Sequence, residues 1–93
     1  MGVREATVEK LLHSLVTEAG GITRKWVAPG VCGVPDRIVI LKGEVYFVEV
    51  KTVDGVLSPI QKREHERLRL AGAKVYTVFG AQDVYAFVKG ITQ

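Results

Sequence analysis

Two acids and a lysine stand where strands would normally be apolar. In GVPDRIVILKGEVYFVEVK, residues 33–51, the charged side chains Asp36, Glu49 and Lys51 flank a hydrophobic run. Two converging carboxylates that leave coordination positions open suit Mg2+, which takes oxygen ligands and keeps several waters. A lysine beside them adds a cation that offsets their charge. That chemistry requires the chain to bring all three side chains to one place.

A hairpin does so. Lys42-Gly43 reads as a two-residue turn. Leu41 then pairs with Glu44, Ile40 with Val45, Ile38 with Phe47 and Asp36 with Glu49. Alternation along a strand puts Asp36, Ile38 and Ile40 on one face with Val45, Phe47, Glu49 and Lys51. Val39, Leu41, Tyr46, Val48 and Val50 take the other. Both faces are largely apolar, so the hairpin is expected to be central and covered on both sides. Directly opposed Cβ atoms lie about 4.5–5.5 Å apart, and like charges there repel. Partial burial then raises one pKa or demands a cation. Lys51 is one such cation and a divalent metal is another. The plainer reading has Asp36 capping a turn after Pro35 and Glu49 pairing with Lys51 at a solvated sheet end. The coincidence of all three on one face favours the metal site. A bulge at Lys42-Gly43 would shift the register by one and separate the carboxylates.

The surrounding elements follow from periodicity and punctuation. Residues 4–19 carry Val8, Leu11, Leu12, Leu15, Val16 and Ala19 at helical spacing, and Gly20-Gly21 stops the helix. ITRKWVA (22–28) reads as a first strand, and PGVCGVP (29–35) as a loop. Ser58-Pro59-Ile60-Gln61 opens a second helix, with Ser58 as N-cap, Pro59 at its first position and Gln61 closing a capping box. That helix runs to about Leu70, and AKVYTVFG (73–80) is a last strand. AQDVYAFVK (81–89) fits a helix through Val84, Phe87 and Val88, or a strand through Val84, Ala86 and Val88; the helix is preferred. The order α-β-β-β-α-β-α predicts an α/β domain over residues 1–93, with a mixed sheet flanked by helices.

Composition sets the outer bounds. The chain has 93 residues, 47% of them apolar and 25% charged, which describes a soluble globular domain. No apolar run reaches the ~18 residues of a membrane span. The charged N-terminus has no signal-peptide core, and Ala6 stands where a myristoylation motif after Gly2 needs Ser or Thr. A cytoplasmic protein is expected. Cys32 is the single cysteine, which rules out an internal disulfide and a thiolate-built metal site; it reads as a small loop residue. The net charge of +3 permits a phosphate-rich partner without requiring one.

Pro35-Asp36 followed by Glu49-Val50-Lys51 resembles the PD-(D/E)xK nuclease signature. The early glutamates of the first helix, the Gly-Gly stop, G-x-P-D-R, the hairpin ending in E-x-K and Gln61 extend the likeness. Together they resemble the virus-type replication-repair nuclease (VRR-NUC) family in its minimal phage form, over nearly the whole chain. The resemblance implies a restriction-endonuclease-like core. It implies Mg2+, with Mn2+ as a substitute, held by Asp36, Glu49 and the Val50 carbonyl, and no small-molecule cofactor. It gives Lys51 and Gln61 catalytic roles, although Gln61 can equally serve only as a cap. A further glutamate comes from the first helix in this family. Glu5 and Glu9 both qualify, and Glu9, next to the apolar stripe, is favoured.

Arg24, Lys25, Arg37 and Lys62 flank the proposed site and are candidate phosphate contacts. Most charges on QKREHERLRLAGAK are expected to form a solvated face, and Trp26 to be core rather than a base-stacking platform. Recognition by shape and backbone is expected, since no helix-turn-helix or RNA-binding signature occurs. The resemblance further implies a homodimer acting on branched DNA, a Holliday junction resolvase in recombination and repair. The rival readings are a flap, nick or duplex nuclease with the same site, and a non-catalytic nucleic-acid-binding module.

Overall fold

The computed structural model describes residues 4–93; Gly2 lies outside them. The elements are α1 (Glu5–Glu18), β1 (Ile22–Lys25), β2 (Arg37–Leu41), β3 (Glu44–Lys51), α2 (Pro59–Leu70), β4 (Val75–Phe79) and α3 (Gly80–Thr92). This is the order read from the sequence. The four strands form one sheet in the order β1-β2-β3-β4. The first three are antiparallel, and β4 returns parallel to β3 after the α2 crossover.

The hairpin register is the one the turn residues dictate. Lys42 (φ 52) and Gly43 (φ 78) both adopt the left-handed conformation of a tight hairpin turn. Leu41 therefore faces Glu44, Ile38 faces Phe47 and Arg37 faces Val48.

The first strand is shorter than the sequence pattern suggests. β1 stops at Lys25, although the Trp26 N–H still donates to the Asp36 carbonyl at 2.9 Å. Beyond it Pro29 has no N–H for a ladder, and Val31 N–H closes a turn onto the Ala28 carbonyl. The ambiguous last segment is helical. Val84, Phe87, Val88 and Ile91 recur at helical spacing, and all four belong to the core or pack against it. Asp83 accepts from the Phe79 N–H at 2.8 Å and helps fix where α3 begins.

Cover on the two sheet faces is unequal, which corrects the expectation of a hairpin buried on both sides. Val8, Leu12 and Val16 of α1 and Val84 and Val88 of α3 cluster with Val39, Tyr46, Val48, Val50 and Val78. The opposite face is closed only at its Glu49 end, and Ile22, Ile40 and Val45 remain exposed. The cause lies in α2, whose single fully buried residue is His65. Gln61, Glu64, His65 and Leu68, at helical spacing, are the residues of α2 that are not exposed, so it seats on a polar patch rather than a broad apolar one. Among the described residues, no helix is long and apolar enough to cross a membrane.

Candidate active site

Asp36, Glu49, Lys51 and Gln61 meet at the open end of the hairpin, where α2 crosses the sheet. Asp36 directly precedes β2, after the fully buried Pro35. Its carboxylate Oδ2 accepts the Val50 N–H at 2.9 Å and so reaches across to β3. Gly33, two residues before Pro35, lets the loop approach α2. It has φ +89, and a Cβ there would lie 2.8 Å from the Ile60 carbonyl oxygen.

Glu49 is 1% exposed, an unusual burial for a carboxylate. Its Oε2 accepts from Gln61 Nε2 at 3.2 Å and lies 3.7 Å from Lys51 Nζ. Its Oε1 has no hydrogen-bond partner and lies 3.7 Å from His65 Nε2. Burial first, then the charge of Asp36, pushes the Glu49 carboxyl from 4.5 up to about 8, with Lys51 pulling the other way. The charge of Glu5 adds to the rise. This is the repulsion foreseen from the register, with burial as the larger cause.

Local structure positions the remaining pair. The Lys51 stem is covered by Gly55, whose added Cβ would sit 3.0 Å from the Lys51 Cβ, in a turn closed by Gly55 N–H on the Thr52 carbonyl. Gln61 caps its helix and also reaches Glu49. Its Oε1 accepts from the Ser58 N–H at 2.9 Å, completing the capping box, while its Nε2 reaches Glu49.

Two of the expected site residues pair with each other instead. Glu9 does not join the carboxylate pair. Its Oε2 lies 2.8 Å from Arg37 Nη1 and 3.2 Å from Lys25 Nζ. Partial burial works to raise its pKa, but the hydrogen bonds and charges of Arg37 and Lys25 carry it below the ordinary value. Glu5, one turn earlier, is the α1 glutamate whose charge reaches Glu49. Arg37 is likewise already paired. It donates to Glu9 and, through Nε at 3.1 Å, to the Thr23 hydroxyl. It occupies the α1 face of the sheet because its neighbour Asp36 takes the other. Arg24, Lys25 and Lys62 are exposed. Trp26 is half-buried and packs on Phe47, with ring centroids 5.0 Å apart. Cys32 is an exposed free thiol.

Sequence reasoning missed His65, which is 0% exposed. Burial and then the Arg69 charge lower its pKa, so the ring is neutral at physiological pH. The signal was present: His65 follows Gln61 by four residues and so shares its helix face.

A mixed sheet carrying an acid before one strand and an E-x-K at the end of the next defines a restriction-endonuclease-like nuclease core. No family model matches the sequence. A curated relative, "Putative nuclease p44" of Acyrthosiphon pisum secondary endosymbiont phage 1, is 42% identical over 90 residues, 96% of either chain. A solved structure described as a "VRR_NUC domain" superposes with a TM-score of 0.83 at 33% identity, covering 91% of this chain and 94% of its own. The chain belongs to the VRR-NUC family of nucleases.

Proposed function

We propose that residues 1–93 form a Mg2+-dependent endodeoxyribonuclease that resolves four-way DNA junctions as a homodimer in the cytoplasm, with Mn2+ able to replace Mg2+. The supporting observation is Glu49, buried against Asp36 with its carboxyl pushed up to about 8. Natural folds rarely bury a carboxylate without a partner, and two adjacent ones call for a cation.

The residues fit a hard divalent ion. Glu49 Oε1 is buried without a hydrogen-bond partner. In a strand, the N–H and C=O of one residue face the same neighbour. The Val50 N–H faces Asp36, so its carbonyl faces that gap too. Among the described residues, no three His, Cys, Asp or Glu side chains converge as a metal site. The ion would therefore rest on Asp36, Glu49, the Val50 carbonyl and water, a set that suits Mg2+. Bound there, Mg2+ supplies Lewis acidity toward the phosphate and lowers the pKa of water.

The chain's own groups do the rest. Lys51 Nζ, beside Glu49, stabilises negative charge as it develops on the phosphate oxygens. Gln61 fixes the Glu49 carboxylate, and Arg24, Lys25 and Lys62 hold flanking phosphates. Water oxygen bonds to phosphorus, one P–O bond to a sugar breaks, and the leaving oxygen takes a proton; no covalent enzyme intermediate forms. One site cuts one strand, so the paired cuts of a two-fold junction call for two copies related by C2 symmetry.

The test is cleavage of four-way junctions, flaps and linear duplex with Mg2+ at matched concentrations, together with sedimentation to count the chains. Junction-selective, paired nicking by the wild type, lost in Asp36→Asn while junction binding persists, is expected. Equal cutting of all three substrates overturns the junction reading. No cutting of any of them with Mg2+ or Mn2+ overturns the nuclease.

A further inference from the structure

Among the described residues, three buried side-chain nitrogen or oxygen atoms lack a hydrogen-bond partner: Glu49 Oε1, His65 Nδ1 and His65 Nε2. Two of them, Nε2 and Oε1, face each other 3.7 Å apart. That is too long for a hydrogen bond and too close for coincidence, since such orphans are rare in folded proteins. The other Glu49 oxygen is already held by Gln61 and faced by Lys51.

We infer that His65 is a positioning residue, whose Nε2–H donates to Glu49 Oε1 when the carboxylate takes up a divalent cation. This rests on the metal-dependent reading above. A neutral imidazole always carries one N–H, so it can serve as donor without gaining a proton. The contact closes from 3.7 Å to about 3.0 Å, satisfying two orphaned atoms with one movement. The carboxylate is then gripped from α2 at both oxygens, by Gln61 and by His65 one turn on. Its remaining lone pairs stay available beside Asp36. The roles are separable: Lys51 and Asp36 face substrate and ion, and His65 acts only through Glu49.

The test uses Mn2+ alone as the probe. Titration calorimetry at pH 8 compares the wild type with His65→Met, which has no donor, and His65→Gln, which keeps an N–H at similar reach. Thermal melts establish the temperature at which each variant is folded. His65→Met is expected to bind Mn2+ about 10–100-fold more weakly. His65→Gln should recover most of that loss, and DNA affinity should be unchanged in both. A purely structural histidine would lower the melting temperature and leave Mn2+ affinity intact below it, which overturns the inference. Failure of His65→Gln to recover binding that His65→Met has lost also overturns it. A second measurement needs no variant. With saturating Mg2+, which is diamagnetic, the imidazole 15N shifts should show Nε2 protonated; an unprotonated Nε2 overturns the inference. If the wild type binds neither ion, the metal-dependent reading falls with it. If binding is normal and His65→Met matches wild type, this inference alone falls.

Discussion

Replacing Glu49 with glutamine keeps the side chain's size and removes its charge. In the metal-free protein the change is expected to stabilise the fold at alkaline pH, although it should abolish ion binding. Burial and the Asp36 charge hold the Glu49 carboxyl at about 8, against an ordinary 4.5. Between those values the folded chain keeps a proton that the unfolded chain has released. The contribution of Glu49 is therefore complete below about pH 4.5, falls as pH rises to about 8, and is flat beyond. At about 1.4 kcal/mol per pH unit, the ceiling is about 5 kcal/mol. A domain of this length has only about 5–14 kcal/mol in total. Lys51, 14% exposed, marks where water can enter the site and relieve part of the strain. We expect about 2 kcal/mol to be realised, or about 10 °C in melting temperature.

The assay is thermal and urea denaturation in EDTA from pH 5 to 9. Wild type should lose about 2 kcal/mol more than Glu49→Gln between pH 5 and 8.5. Added Mg2+ should restore wild type and leave the variant unmoved, because only wild type gains from binding the ion. Parallel profiles of the two proteins in EDTA would refute the reasoning, since the burial of Glu49 would then carry no charge penalty.

Further outcomes follow from the same geometry. Lys51→Met should lower kcat by about 10²–10³ with little change in DNA affinity, and should raise the Glu49 pKa further, both seen in a pH–rate profile. Mn2+ binding should release about one proton at pH 7 and almost none at pH 9, read by calorimetry in buffers of different ionisation enthalpy. A double-mutant cycle on Arg37→Met and Glu9→Gln should give a coupling of about 1–2 kcal/mol, with Mn2+ affinity nearly unchanged because this pair lies off the site. Gly33→Ala should cost about 1–3 kcal/mol in urea denaturation, because its left-handed backbone and the Ile60 carbonyl both oppose a Cβ.

The parts of this protein that were legible in the sequence are those set by local rules. Lys42-Gly43 dictates its own turn, and a turn dictates register, so the approach of Asp36 to Glu49 could be derived without tertiary information. Ser58, Pro59 and Gln61 likewise set the start of α2 through contacts within four residues. Other features depend on distant partners. Alternation showed two apolar faces on the hairpin, yet cover over Ile40 and Val45 depends on how much apolar surface α2 can offer, and α2 offers little. His65 was hidden because a histidine among charged neighbours reads as a solvated helix face until the helix is seated.

Arg37 and Glu9 teach a sharper lesson, because the rule that places them was already in use. If Asp36 shares a face with Ile38 and Ile40, then Arg37 must share one with Val39 and Leu41, the face that α1 covers. A guanidinium sent to a mostly apolar interface needs a carboxylate on the covering helix, and Glu9, one residue past the buried Val8, is placed to supply it. The Arg37–Glu9 pair and the Asp36–Glu49 pair are thus opposite consequences of one alternation. The first couples unlike charges and lowers the Glu9 pKa; the second couples like charges and raises that of Glu49. Glu5, one turn before Glu9, is the α1 glutamate whose charge does reach Glu49.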